Sequence, residues 1–292
     1  MAAPTFTSLG AFVRLSRPHF LLGGVLMYAM GAVSAVPIDV FAFVVGQLMV
    51  TAAQITAHYV NEYADVEPDR AVAERTWFSG GSGVLVDGAL PDAVALRAAA
   101  VSSIVALLAA SVLAFSAPIA AALGVVALSV SWAYSMPPIR LLQTGFGEIA
   151  TSLVVAVVVP LIGAFAQNGS LQAALWWSVA ILFFVHMAMM LAFELPDLES
   201  DAASGKRVLA VRIGAHTTAG MITALGVLAA SVALVAWLLD EIATVGLIGA
   251  LAGLLGFIVA DVAYRAGRLA ALTTAGVAAF VVTGIGLTIG LL

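Results

Sequence analysis

Apolar and polar residues sort along this chain into nine long greasy runs joined by short polar connections. The runs cover roughly 19–36, 40–60, 93–115, 118–135, 146–166, 173–194, 215–238, 242–263 and 270–291. Each is close to the ~20 residues that a helix needs to cross a hydrocarbon core. None alternates with the period of two expected of membrane-barrel strands. Pro and Gly inside some runs fit such helices, because neighbouring helices re-satisfy the freed backbone groups. The pattern predicts an all-α fold: a polytopic membrane helix bundle of nine transmembrane helices. It is expected to form a single transmembrane domain over 1–292, with cap loops at about 61–92 and 195–214.

Composition sharpens this picture. The mean hydropathy is +1.14 and only 9% of residues are charged, against about 25% in soluble domains. The lipid bilayer is the expected environment. There is no cysteine, so disulfides, thiolate metal sites and cysteine nucleophiles are excluded. A net charge of −5 argues against nucleic acid as a partner. The opening "MAAPTFTSLGAFVRLSRPHF" lacks the charged start, apolar core and cleavage site of a signal peptide. The first span is therefore expected to direct insertion itself.

Charge also sets the orientation. With nine spans, all eleven basic residues fall at or near the face that carries the N-terminus: Arg14, Arg17, Arg70, Arg75, Arg97, Arg140, Lys206, Arg207, Arg212, Arg265 and Arg268. The opposite connections hold Asp39, Asp240 and Glu241 and no basic residue. Lys and Arg concentrate in cytoplasmic loops. The expectation is a multi-pass protein of the cell (inner) membrane, N-terminus cytoplasmic, C-terminus outside, with its site on the cytoplasmic face.

Two acidic clusters interrupt the greasy pattern. "NEYADVEPDR" ends the second span and "ELPDLESD" ends the sixth. Asn61, Asp65 and Asp69 stand at i, i+4, i+8, and Asp197 and Asp201 at i, i+4, which stacks them on one helical face. Pro68 disfavours helix just before it, so Asp69 is expected on a turn beyond the helix end. Four spans separate the clusters, so both reach the same face, as a parallel four-helix internal repeat would bring about. Carboxylates crowded at a low-dielectric boundary repel unless a cation lies between them. All-oxygen ligands favour a hard cation, Mg²⁺, which binds through one or two carboxylates plus substrate phosphates. Asn61, Asp65, Asp69, Asp197 and Asp201 are thus candidate metal ligands, and the four aspartates candidate catalytic groups. Arg70 and Lys206, beside the acids, are candidate phosphate ligands, and Arg140 and Arg17 are further basic candidates, each also readable as an interfacial anchor.

A polar stripe of Gln47, Gln54, His58, Asn61 and Asp65 follows one face of the second span. Gln54 and His58 are expected to line a pocket above the acids, although amides also serve as glue between membrane helices. Tyr134 and Ser135 fall near the carboxylate plane, where the Tyr134 ring can face a cation. His186, Glu148, Asp261 and Tyr264 read more simply as packing or interface residues. The "SGGSG" stretch (79–83) lacks the Gly-Lys-Ser/Thr of a Walker loop and reads as a mobile cap.

These residues resemble the UbiA family of membrane prenyltransferases. The family's first motif, an Asn and two Asp at four-residue intervals, is matched by Asn61, Asp65 and Asp69, and its second by Asp197 and Asp201. "RLSRP" (14–18), "YSMPPIRL" (134–141) and "GKRVLAVRIG" (205–214) are similar to family segments. The resemblance implies Mg²⁺-dependent transfer of a prenyl group from a prenyl diphosphate to an aromatic acceptor. "GGSGVLVDG" is most similar to the menaquinone-type branch, whose acceptor is a dihydroxynaphthoate. A family member with another acceptor is the alternative. A secondary transporter is the rival from another class, but its acids would lie near the midplane. An alcohol phosphotransferase would need an Asp-Gly and Ala-Arg pattern that is absent. An intramembrane metalloprotease would need paired His or a Gly-Asp site within a span.

Overall fold

The computed structural model describes residues 6–35, 37–70, 72, 75–167, 169 and 171–292. Among them every regular element is helical. Before the acidic face come α1 (Phe6–Ser16), a 3₁₀ turn (Pro18–Phe20) and α2 (Leu21–Val33). The helices α3 (Val40–Ala64), α5 (Asp92–Leu113), α6 (Pro118–Ser135), α9 (Ala173–Ala203), α11 (Ala215–Leu238), α12 (Thr244–Arg265) and α13 (Leu269–Gly290) are long. Shorter ones are α4 (Val66–Arg70), α10 (Leu209–Ile213), and α7 (Gly147–Leu153) with α8 (Val159–Ala166), joined through a π turn into one span.

Among the described residues, eight helices are long and apolar enough to cross a membrane. The first expected span, 19–36, is the one that differs from these. Its helix α2 holds 13 residues, about 20 Å at 1.5 Å per residue, which is short of a full crossing. The chain turns sharply before it, because Arg17 adopts a left-handed backbone (φ 47°) and breaks α1 from α2. The sixth span differs in the other direction. α9 runs on to Ala203, with Pro196 inside it, so Asp197 and Asp201 stand on continuous helix rather than in a loop that begins at 195. α9 is also the central helix: 72% of its most apolar window is buried, against at most 50% in any other span.

Packing follows membrane rules, in which small residues let backbones approach. Between α12 and α13, a Cβ built on Gly249 would lie 3.0 Å from the Gly286 Cα, and one on Gly286 2.9 Å from the Gly249 Cα. Side chains there would push the helices apart. Polar ends are secured locally. Asp39 caps α3 by accepting from the Ala42 N–H at 3.0 Å, the usual way to satisfy an orphan donor.

The C-terminal end of α3 is where the site forms. The helix stops at Asp65, and α4 restarts at Val66 with Pro68 in its first turn, where its missing N–H costs nothing. Asp69 therefore does lie beyond the end of α3, but on a second short helix, its N–H bonded to the Asp65 carbonyl at 2.8 Å.

Candidate active site

Helices α3 and α9 bring the two acidic tips together. Lys206, in the connection after α9, places its Nζ 3.0 Å from Asp65 Oδ1 and 3.1 Å from Asp201 Oδ1. The ammonium is 6% exposed and joins one residue from each cluster. Burial alone would lower the Lys206 pKa, but Asp65 and Asp201 outweigh it and hold the lysine above its usual range, so it is charged. Asn61 donates to Asp65 Oδ2 at 2.7 Å and reaches Ser135 Oγ at 3.4 Å.

Asp197 has one oxygen taken: Oδ2 accepts from the Gly80 N–H at 2.9 Å, while Oδ1 is buried without a hydrogen-bond partner. The 79–83 loop thus crosses from α3 to α9. Ser82 donates to Glu62 from its N–H at 2.7 Å and its hydroxyl at 2.6 Å. Gly80 and Gly81 have positive φ, and a Cβ at Gly81 would collide with the Asp69 carboxylate. Glycine is needed at 81 for both conformation and space. Arg75 ties the loop back, donating to the Gly80 carbonyl at 3.0 Å and the Asp69 carbonyl at 3.2 Å.

Below this acidic mouth opens a cavity of about 500 Å³. Asp65, Asp69, Asp197, Asp201, Asn61, Lys206, Tyr134, Arg17 and His58 all line it. Its depth is apolar, walled by Met49, Val159, Ile162 and Phe280 among others. Five carboxylates against two cations face the cavity. Burial first, and then the charges of Asp65 and Glu62, push Asp69 up to about 7. The crowded, under-neutralised acids, the partnerless Asp197 oxygen and a lysine seated between the tips all fit a bound cation. Among the described residues no three acids or histidines alone form a metal cage. The arrangement suits an ion completed by phosphate oxygens.

Two expected phosphate ligands lie elsewhere. Arg70 is more than half exposed and pairs with Glu67, one turn back on α4. Arg140 is exposed at a left-handed turn, with Gln143 as its contact at 3.5 Å. Neither lines the cavity. Arg17 does, with Glu62 Oε1 3.7 Å away and its guanidinium over the Phe20 ring at 4.7 Å. Gln47 bonds to Thr51 and Asp261 to Arg265, away from the cavity wall. His186 does line it, held by Ser152 at 2.9 Å.

The sequence reading passed over three features. Glu62, buried on the last turn of α3, anchors the loop and Arg17; it stood within the acidic stretch that ends the second span. Phe78 stacks on Phe193, with centroids 5.7 Å apart, and no periodicity announces a loop aromatic meeting a helical one. What was missed of Glu148, read as a packing or interface residue, and of Glu194, one turn before Asp197 on the same face, is their partners: they accept from the successive N–H groups of Leu209 and Ala210, at 2.9 and 3.0 Å. They fix the start of α10 and so the strand of chain that carries Lys206.

The comparisons bear on the fold and the family. The model of the UbiA prenyltransferase family matches residues 20–283. The 1,4-dihydroxy-2-naphthoate octaprenyltransferase of Bacillus subtilis (strain 168) is 27% identical over 217 residues, 73% of this chain and 69% of that protein. The apo UbiA homolog from Aeropyrum pernix K1 superposes with a TM-score of 0.73 at 16% identity, covering 94% of this chain and 98% of its own. The UbiA homolog from Archaeoglobus fulgidus bound to GPP and Mg²⁺ gives 0.73 at 17% identity, covering 95% and 99%. With the family model spanning nearly the whole bundle, this chain belongs to the UbiA prenyltransferase family.

Proposed function

We propose that this protein transfers a prenyl group from a prenyl diphosphate to an aromatic acceptor of the dihydroxynaphthoate type, with Mg²⁺ as its metal. The observation that carries the reading is the meeting of Asp65 and Asp201 on Lys206 at the mouth of an apolar cavity. Asn61, Asp65 and Asp69 on one side and Asp197 and Asp201 on the other would hold the metal. Bound there, Mg²⁺ supplies charge stabilisation for the departing diphosphate. Lys206 adds a positive charge at the same place. The apolar depth takes the isoprenoid tail and keeps water from the allylic cation. The Tyr134 ring stands on the wall where that cation develops. The 79–83 loop closes the mouth. The basic residues support a cytoplasmic position for this end of the bundle.

A labelled geranyl diphosphate assay with Mg²⁺ tests the reading. Prenylated product is expected with 1,4-dihydroxy-2-naphthoate. Transfer to 4-hydroxybenzoate or a glycerol phosphate lipid instead would keep the reaction and change the acceptor. Release of no diphosphate with any acceptor would sink the reading and favour the transporter class.

Asp69 adds a pH dependence. The folded protein keeps this proton to a higher pH than the unfolded chain, so between pH ~4 and ~7 the metal-free protein loses stability as pH rises. Mg²⁺ competes with the same proton. Calorimetric titration is expected to find binding roughly tenfold tighter at pH 8 than at pH 6, with a proton released on binding only at the lower pH. Equal affinities at both values would contradict a role for Asp69 in holding the ion.

A further inference from the structure

Two buried acids take no part in the chemistry above. Glu148 stands on the first turn of α7 and Glu194 on α9, one turn before Asp197. Each spends one oxygen on α10. Glu148 Oε1 accepts from the Leu209 N–H and Glu194 Oε2 from the Ala210 N–H. Their other oxygens, Glu148 Oε2 and Glu194 Oε1, are buried and meet no donor among the described residues. Glu148 itself lies within hydrogen-bonding reach of Glu194. An ionised carboxylate only accepts, so a bond between the two needs a proton. The surroundings point the same way. Asp201 on α9 and Tyr134 on α6 face the pair, and among the described residues no ion pair reaches either acid. Two carboxylates in contact do not both ionise without a cation between them.

The pair holds the segment that carries Lys206. The Lys206 N–H bonds to the Asp201 carbonyl at 2.9 Å, Val208 is fully buried, and the N–H groups of Leu209 and Ala210 rest on the two acids. The lysine backbone is thus fixed by α9 on one side and by the acid pair on the other.

We propose that Glu148 and Glu194 share one proton, and that this linked pair positions Lys206 for the diphosphate of the donor. The inference rests on the prenyl-transfer reading above. With no proton the carboxylates repel and drag the start of α10 with them. With two, the charge-assisted hold on its N–H groups is lost. One proton keeps both contacts, and the pair acts on the donor through the lysine.

A glutamine has the shape of a protonated glutamate. Its oxygen can accept from α10 while its NH₂ donates to the remaining carboxylate. Glu148→Gln and Glu194→Gln, made singly, are therefore expected to keep affinity for geranyl thiodiphosphate within about twofold of the wild type, as a retained hydrogen bond requires. At pH 8 the wild type is expected to show a protonated-carboxyl infrared band that both single variants lack. In Glu148→Gln/Glu194→Gln two NH₂ groups meet with no acceptor between them. The double variant is expected to melt below either single one and to bind the thiodiphosphate about 10-fold more weakly. In a Lys206→Met background the same pair of changes should weaken binding no further, because the lysine they position is gone.

A loss of about tenfold or more in either single variant, or loss of its Mg²⁺ binding, overturns the shared proton and makes the acids act as separate charges. So does an infrared band that survives both substitutions. Neither readout needs the double variant to fold. Wild-type donor affinity in the double variant, or equal weakening with and without Lys206, overturns the positioning role. A wild-type protein that binds no prenyl diphosphate overturns prenyl transfer and the positioning role together, while the infrared band and the melting order of the glutamine variants still decide the proton.

Discussion

Asp197→Asn is expected to lower turnover by at least ~10²–10³-fold, the range for losing one electrostatic contact to the transition state, while the bundle stays folded. The geometry separates the two effects. Asp197 uses Oδ2 to accept from Gly80, and its Oδ1 is buried without a partner. An asparagine can keep the first contact through its own oxygen. It turns an NH₂ toward the place where a carboxylate oxygen would meet the cation, and it removes an under-neutralised buried charge. In EDTA the variant is therefore expected to melt no lower than the wild type, and to lose the stabilisation that Mg²⁺ gives. Asp65→Asn should behave differently. It is equally inactive, but it also weakens the metal-free fold, because Asp65 is one of the two anchors of Lys206. Activity of the Asp197→Asn variant within tenfold of the wild type would remove Asp197 from the site.

How far the sequence foretold this site depended on the kind of contact. Stacked acids at i, i+4 on apolar helices were legible because helical periodicity fixes which side chains share a face. Span parity placed the ends of α3 and α9 on one face, and their meeting on Lys206 is what the fold adds. Adjacency in sequence misled. Arg70 follows Asp69 directly, but successive helical residues point about 100° apart, and Arg70 turns outward to Glu67. Lys206 lies five residues after Asp201 and reaches it because α9 ends and the chain folds back, with the Lys206 N–H on the Asp201 carbonyl at 2.9 Å. The cap loop expected from about 195 begins later, because α9 continues to Ala203 with Pro196 inside it. In the fold the packed neighbours of a central helix override the proline's local preference. The reach of the glycine loop to Glu62 and Asp197 spans 20 and 117 residues, and no local pattern encodes it.

Lys206→Met offers the second large effect, and its two consequences have opposite signs. The ammonium sits between Asp65 and Asp201 at ordinary hydrogen-bond distances, almost wholly buried. An ion entering between the two tips must compete with it for the same oxygens. Removing one member of a buried ion cluster costs about 3–5 kcal/mol, so in EDTA the variant is expected to melt well below the wild type. Mg²⁺ should then raise its melting temperature more than it raises that of the wild type, and should bind it more tightly when no diphosphate is present. Donor affinity should move the other way. A charge-assisted hydrogen bond contributes about 1.5–3 kcal/mol, so loss of the lysine should weaken prenyl diphosphate binding roughly 10- to 100-fold. On the proposed reading a diphosphate would draw Lys206 off the carboxylates and free them for metal, so donor and Mg²⁺ should each tighten the binding of the other. In the variant most of that mutual tightening should vanish. Calorimetry of Mg²⁺ with and without geranyl thiodiphosphate measures both terms. Weaker Mg²⁺ binding in the variant alone, or undiminished coupling, would show that Lys206 does not stand where the ion goes.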